Sequence, residues 1–118
     1  MTTLQTAAVL FALGAAGGVA MLVMRVRRGT NPPVALAVLH GGAVGFALAM
    51  LGIAVLRDGV GGLAQVAFGV FALGALGGAT LFTMHMRGRL LPVPFILVHG
   101  TVAAIAYVLL LVHVLGGG

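Results

Sequence analysis

"FALGAAGGVAMLVMRVR", residues 11–27, is an apolar run that ends in arginines. It returns at residues 71–87 as "FALGALGGATLFTMHMR", with nine of 17 positions identical. After a slip of one residue, "PVALAVLHG" (33–41) is matched by "PVPFILVHG" (92–100). A fixed internal period outranks any local signal in reading a fold. The chain therefore reads as two tandem copies of one helical hairpin, repeat 1 over 4–57 and repeat 2 over 63–116, within one membrane domain spanning 1–118.

The solvent follows from composition. Of 118 residues 62% are hydrophobic, and the charged side chains are six arginines and Asp58. A water-soluble surface needs roughly a quarter of its residues charged, whereas this chain has 6% and a mean hydropathy of +1.28. Four apolar stretches, Leu4 to Met24, Pro33 to Leu56, Leu63 to Met84 and Val93 to Leu115, each reach the roughly 20 residues that a helix needs to cross a hydrocarbon layer. Backbone polar groups in lipid must be satisfied internally, so spans of this length are helices. The joints between them are short, which makes consecutive helices antiparallel neighbours. The expected fold is all-α, a transmembrane four-helix up-down-up-down bundle.

Charge placement gives the expected orientation. Arg25, Arg27 and Arg28 follow the first span and Arg87 and Arg89 the third, while the middle joint pairs Arg57 with Asp58. The positive-inside rule places the first and third joints in the cytoplasm and both termini outside it. The expectation is a multi-pass protein of the plasma or inner membrane. "MTTLQT" lacks the basic start of a signal peptide, so the first span is expected to be retained. The basic balance arises from arginines without acids to offset them and implies no nucleic acid. With no cysteine, disulfides, thiolate metal sites and covalent haem attachment are excluded.

Two hairpins entering the membrane in the same direction form a parallel repeat, related by a pseudo-twofold axis along the membrane normal. Helices 1 and 3 then face one another across one diagonal, and helices 2 and 4 across the other. His40 and His99 lie seven residues beyond Pro33 and Pro92, about 10 Å into the apolar layer. Gly17 and Gly18 precede Arg25 by eight and seven residues, and Gly77 and Gly78 precede His85 by the same counts. Histidines and glycines thus share one level. Diagonals of about 11 to 14 Å leave room for two imidazoles with a metal between them. If that metal sits in a porphyrin, Gly14, Gly17, Gly18, Gly74, Gly77 and Gly78 would clear space for the macrocycle, and Arg25, Arg27, Arg87 and Arg89 would meet its propionates.

Each feature has a plainer reading. Glycines four apart are common packing motifs between membrane helices, and arginines at span ends are common topology anchors. A neutral intramembrane histidine can also hydrogen-bond a neighbouring helix, transfer protons or touch a quinone. His85 holds the place of Arg25 in the repeat and reads as a cationic or interfacial residue. His113 stands 14 residues after His99 on the same helical face, and its counterpart in repeat 1 is Ala54.

With these histidines the chain resembles the membrane b-type cytochromes, four-helix haem proteins in which paired histidines on facing helices clamp the cofactor. The resemblance rests on helix layout and histidine spacing. It implies electron transfer through one noncovalent haem b, with His40 and His99 as the axial ligands near the cytoplasmic side. His113 matches half of a second ligand pair whose partner is missing, so a second haem is not expected. Quinone or a redox protein would be the exchange partner, lipid the surroundings, and a homodimer or larger membrane complex the setting. The rival reading is a cofactor-free small integral membrane subunit or assembly factor. A transporter is disfavoured, because no acidic residue lies inside a span. Neither a nucleophile with a base nor paired carboxylates nor a phosphate loop is present, so no enzyme activity of its own is expected.

Overall fold

The computed structural model describes residues 1–116. Four helices in chain order, α1 (Thr3–Arg28), α2 (Val34–Leu56), α3 (Leu63–Met86) and α4 (Val93–Leu115), account for nearly all of them, and no strand occurs among the described residues. Each helix is long and apolar enough to cross a membrane, and together they make a rod 43 Å long and 22 by 21 Å across.

Local chemistry sets the ends. Thr2 and Gln5 form a capping box: the Gln5 N–H donates to Thr2 Oγ1 at 3.1 Å, and the Thr2 N–H donates to Gln5 Oε1 at 3.0 Å. Two of the four orphan donors of α1 are thereby satisfied. Its other end runs past the apolar span. Arg25, Arg27 and Arg28 form the last helical turn instead of the joint, as suits arginine's helix propensity and the negative end of the helix dipole. Gly29, at φ 66°, stops it in the left-handed conformation. Pro33 and Pro92 then cap α2 and α4.

Alanines fill much of the interior, and many large side chains face outward. Ala7, Ala47, Ala64, Ala67 and Ala106 have no exposed surface, while Leu13, Leu39, Phe46, Leu73, Leu97 and Val98 face outward. Lipid solvates leucine as well as a core does, so what lies inside is chosen for close approach of backbones. Helix α1 packs on α2 and α4, and α3 packs on α4 and α2. Neither α1 with α3 nor α2 with α4 brings Cα atoms within 8 Å among the described residues. Side chains bridge both diagonals instead. Phe11 and Phe71 stack across the first with centroids 3.8 Å apart, and His40 faces His99 across the second.

Burial is uneven along the rod. The core of Ala7, Ala8, Phe11, Ala47, Leu51, Ala64, Ala67, Phe71, Ala106 and Leu110 lies wholly on one side of the histidines. Tyr107 adds a hydrogen bond from its hydroxyl to the Ala8 carbonyl at 3.0 Å. Toward the arginines, the buried side chains are Leu81, His85, Pro32 and Leu91.

Candidate cofactor site

His40 projects from α2 toward α1, where its Nδ1–H donates to the Gly14 carbonyl at 2.6 Å. His99 projects from α4 toward α3 and donates from Nδ1 to the Gly74 carbonyl at 2.9 Å. A carbonyl only accepts, so both rings carry their proton on Nδ1. In the neutral imidazole the lone pair is then on Nε2, the arrangement that a backbone acceptor imposes on a metal-ligating histidine. Among the described residues each ring makes only this one hydrogen bond. The Gly14–His40 and Gly74–His99 contacts are the same at matched positions of the two hairpins.

The two rings make a T-shaped pair with centroids 6.5 Å apart and planes at 84°. Two imidazoles bound through one nitrogen each to opposite sides of a single metal ion have centroids about 6.3 Å apart, given nitrogen–metal bonds of about 2.0 to 2.1 Å. The observed spacing is too wide for a direct hydrogen bond between the rings and close to that of two axial ligands. No group of three or more histidine, cysteine, aspartate or glutamate side chains comes together among the described residues. Any ion held here would take its remaining ligands from elsewhere.

The imidazoles lie at the level of the glycines, against backbone that these leave bare. A Cβ on Gly18 would come 3.1 Å from His40 Cε1, and one on Gly78 equally close to His99 Cε1. Gly17 and Gly77 are roomier, with a Cβ meeting His40 Cβ at 3.9 Å and His99 Nδ1 at 3.6 Å. One turn away, a Cβ on Gly14 would overlap Val44 Cγ1, and one on Gly74 would touch Val102 Cγ1 at 3.7 Å. Gly14 thus lets α1 and α2 approach closely, while the space at Gly74 would admit a methyl at ordinary contact distance.

The cationic residues divide. Arg25 is half-buried and donates from Nε to the Leu91 carbonyl at 2.9 Å. Arg27, Arg87 and Arg89 are exposed at the same end of the rod. His85, expected to be interfacial, is buried and donates from Nε2 to the Pro32 carbonyl at 2.8 Å. Imidazole is short enough to turn inward under the joint and satisfy the Pro32 carbonyl. His113 is also buried, but beside Gly62 at the far end, where a Cβ on that glycine would lie 3.8 Å from its Nδ1. It is not part of the His40–His99 cluster.

Two features escaped sequence reading. The Phe11–Phe71 stack lies one turn below Gly14 and Gly74 and closes the space beneath the histidines. Its signal was available, since both phenylalanines open the repeated segment. Asn31 bridges the first and third joints, donating from Nδ2 to the Arg89 carbonyl at 2.7 Å and accepting the Leu91 N–H at 2.9 Å. It stands opposite Leu90 in the repeat, so symmetry offered no hint. No family model, curated protein or solved structure matches the chain.

Proposed function

We propose that this is a membrane electron-transfer protein that holds one haem b between His40 on α2 and His99 on α4. The observation that carries the reading is the histidine pair, at axial-ligand spacing with both Nδ1–H groups tied to backbone carbonyls. Two side chains alone would be a poor site for a bare ion, which prefers four or more ligands. A haem would bring most of the iron's ligands itself, and His40 and His99 would be the two side chains that hold it. When bound, the haem would supply reversible one-electron exchange at its iron.

The remaining work falls to the chain. The Gly14 and Gly74 carbonyls hold the imidazole tautomer and orientation, and donation to them raises ligand basicity. Gly18 and Gly78 let the rings lie flush with the neighbouring helix. Phe11 and Phe71 exclude water from the opposite half. Arg27, Arg87 and Arg89 stand free at the near end for carboxylates, with Arg25 partly engaged by Leu91.

With this reading goes the architecture it needs. The bundle runs up-down-up-down, built from a tandem-duplicated hairpin, and sits in a plasma or inner membrane with both termini outside the cytoplasm and the arginine end inside. A redox protein or quinone would exchange the electron. The second reading, a cofactor-free subunit that packs against a larger membrane partner, is favoured by the outward-facing Gly41, Gly42 and Gly45 on α2, which have no neighbour within 4 Å where a Cβ would be. Such bare backbone is where another membrane helix can approach closely. Absorption spectra of the detergent-purified protein, oxidised and then reduced, decide between them. A low-spin b-type spectrum is expected, and a protein expressed with ample haem that shows no Soret band would sink the haem reading.

A further inference from the structure

The end of the rod nearest the arginines is held differently from the rest. Residues 29–33 and 87–92 form two joints that meet there, each with a left-handed glycine near its start (Gly29 at φ 66°, Gly88 at φ 70°) and a proline helix cap at its end. At this end four hydrogen bonds tie one hairpin to the other. Asn31 makes two, to the carbonyl of Arg89 and the N–H of Leu91, Arg25 reaches the Leu91 carbonyl, and His85 reaches the Pro32 carbonyl. Beneath them lie Leu81, Leu91, Pro32 and His85, all buried, with no continuous aliphatic core like that of the opposite half. One half is closed by packed side chains and the other by bonds between two short joints.

We propose that the paired joints form a lid over the arginine end, with Asn31 as its catch, and that this lid controls passage of an amphipathic anionic macrocycle to and from His40 and His99. The proposal rests on the reading of that pair as a haem site. The alanine and phenylalanine core blocks entry from the other end, and a ligand carrying carboxylates would have its charged edge among Arg27, Arg87 and Arg89. Opening the lid requires breaking these hydrogen bonds and moving two joints that begin at Gly29 and Gly88. Such local openings occur well below the free energy of global unfolding. Asn31 is the natural catch because one amide engages both a donor and an acceptor of the facing joint.

The test uses the absence of natural cysteine. Leu81→Cys places one thiol beneath the joints, a turn before His85 on the same helical face, where Leu81 is 8% exposed. A charged, water-soluble methanethiosulfonate then reports access from the aqueous side whether or not haem is bound. Adding Asn31→Ala removes two hydrogen bonds and should speed labelling about tenfold or more. His85→Phe, which keeps a ring in place of the one bonded to Pro32, provides an independent second variant. In haem-loaded protein without the cysteine, both changes should raise the rate of haem transfer to an excess of apo-globin while leaving the equilibrium spectrum unchanged. Unchanged labelling in both variants overturns the lid. Faster labelling with unchanged haem transfer overturns its role as the gate. Faster labelling in a protein that never shows a haem spectrum leaves the lid standing and removes the haem reading.

Discussion

His40 and His99 each present a ring to the other across the bundle while donating backward to a helix backbone, His40 to Gly14 and His99 to Gly74. The consequence is mutual. Each imidazole is oriented by its own hairpin, so the 6.5 Å between their centroids depends on how the two hairpins pack and not on a bond between the rings.

Loss of either ring should therefore remove half of the site with nothing to replace it. His40→Ala and His99→Ala should each abolish the low-spin haem spectrum or reduce haem content severely. His113→Ala, at the far end of α4, should retain one haem, and so should His85→Ala despite its lost bond to Pro32. Haem stoichiometry of the four purified variants checks this, and wild-type spectra in all four would exclude both ligands.

The Phe11–Phe71 stack offers a test of packing that does not depend on any cofactor. Either Phe→Ala change should destabilise the bundle, but by less than the roughly 3 to 5 kcal/mol such a truncation costs in a water-soluble core. Lipid solvates a freed ring nearly as well as the core does, leaving mainly the cavity and lost dispersion contacts. The rings lie parallel within 1° with centroids 3.8 Å apart, closer than the roughly 4.5 to 7 Å of favoured aromatic pairs. The coupling in a double-mutant cycle should accordingly lie near the low end of the usual range, about 0.5 kcal/mol. Unfolding in mixed micelles of both single variants and the double variant would measure it, and coupling above about 1.5 kcal/mol would contradict the argument.

Topology can be tested separately. With five of the six arginines at one end of the rod, a reporter active only outside the cytoplasm, fused at the C-terminus, should be active, and one inserted at Thr30 should not. The reverse pattern would place the arginine end outside.

The four helices were legible because lipid imposes a simple code: length, apolarity and short joints suffice, and the expected spans differ from the helices mainly where α1 carries on through Arg28. The histidine pair was legible because two similar segments place His40 and His99 at equal distances beyond Pro33 and Pro92. What the glycines touch was not, since their spacing is equally consistent with a macrocycle, a packed helix or an inserted imidazole. The direction in which His40 and His99 turn depends on the Gly14 and Gly74 carbonyls, which no spacing records. Asn31 and His85 were illegible for a related reason: their partners are backbone carbonyls and amides, which every residue carries and no motif records.

The glycines of one helical turn should respond differently, and the order of their responses separates imidazole seating from generic helix packing. Gly17 and Gly77 leave an added methyl at ordinary contact distance, so Ala there should be nearly neutral in both stability and haem content. At Gly18 and Gly78 the methyl would come 3.1 Å from the ring carbon between the two nitrogens. Ala at either position should push the ring off its carbonyl and disturb the low-spin spectrum more than it disturbs the fold. At Gly14 the methyl would overlap Val44, on the partner helix of the same hairpin. Overpacking of that kind costs about 1 to 3 kcal/mol, so Gly14→Ala should lower the melting temperature, and Val44→Ala in the same chain should restore it by making room. If instead Gly17→Ala and Gly18→Ala lose stability equally while both keep full haem with an unaltered spectrum, the glycines serve only the approach of the helices, and the seating of His40 against α1 is wrong.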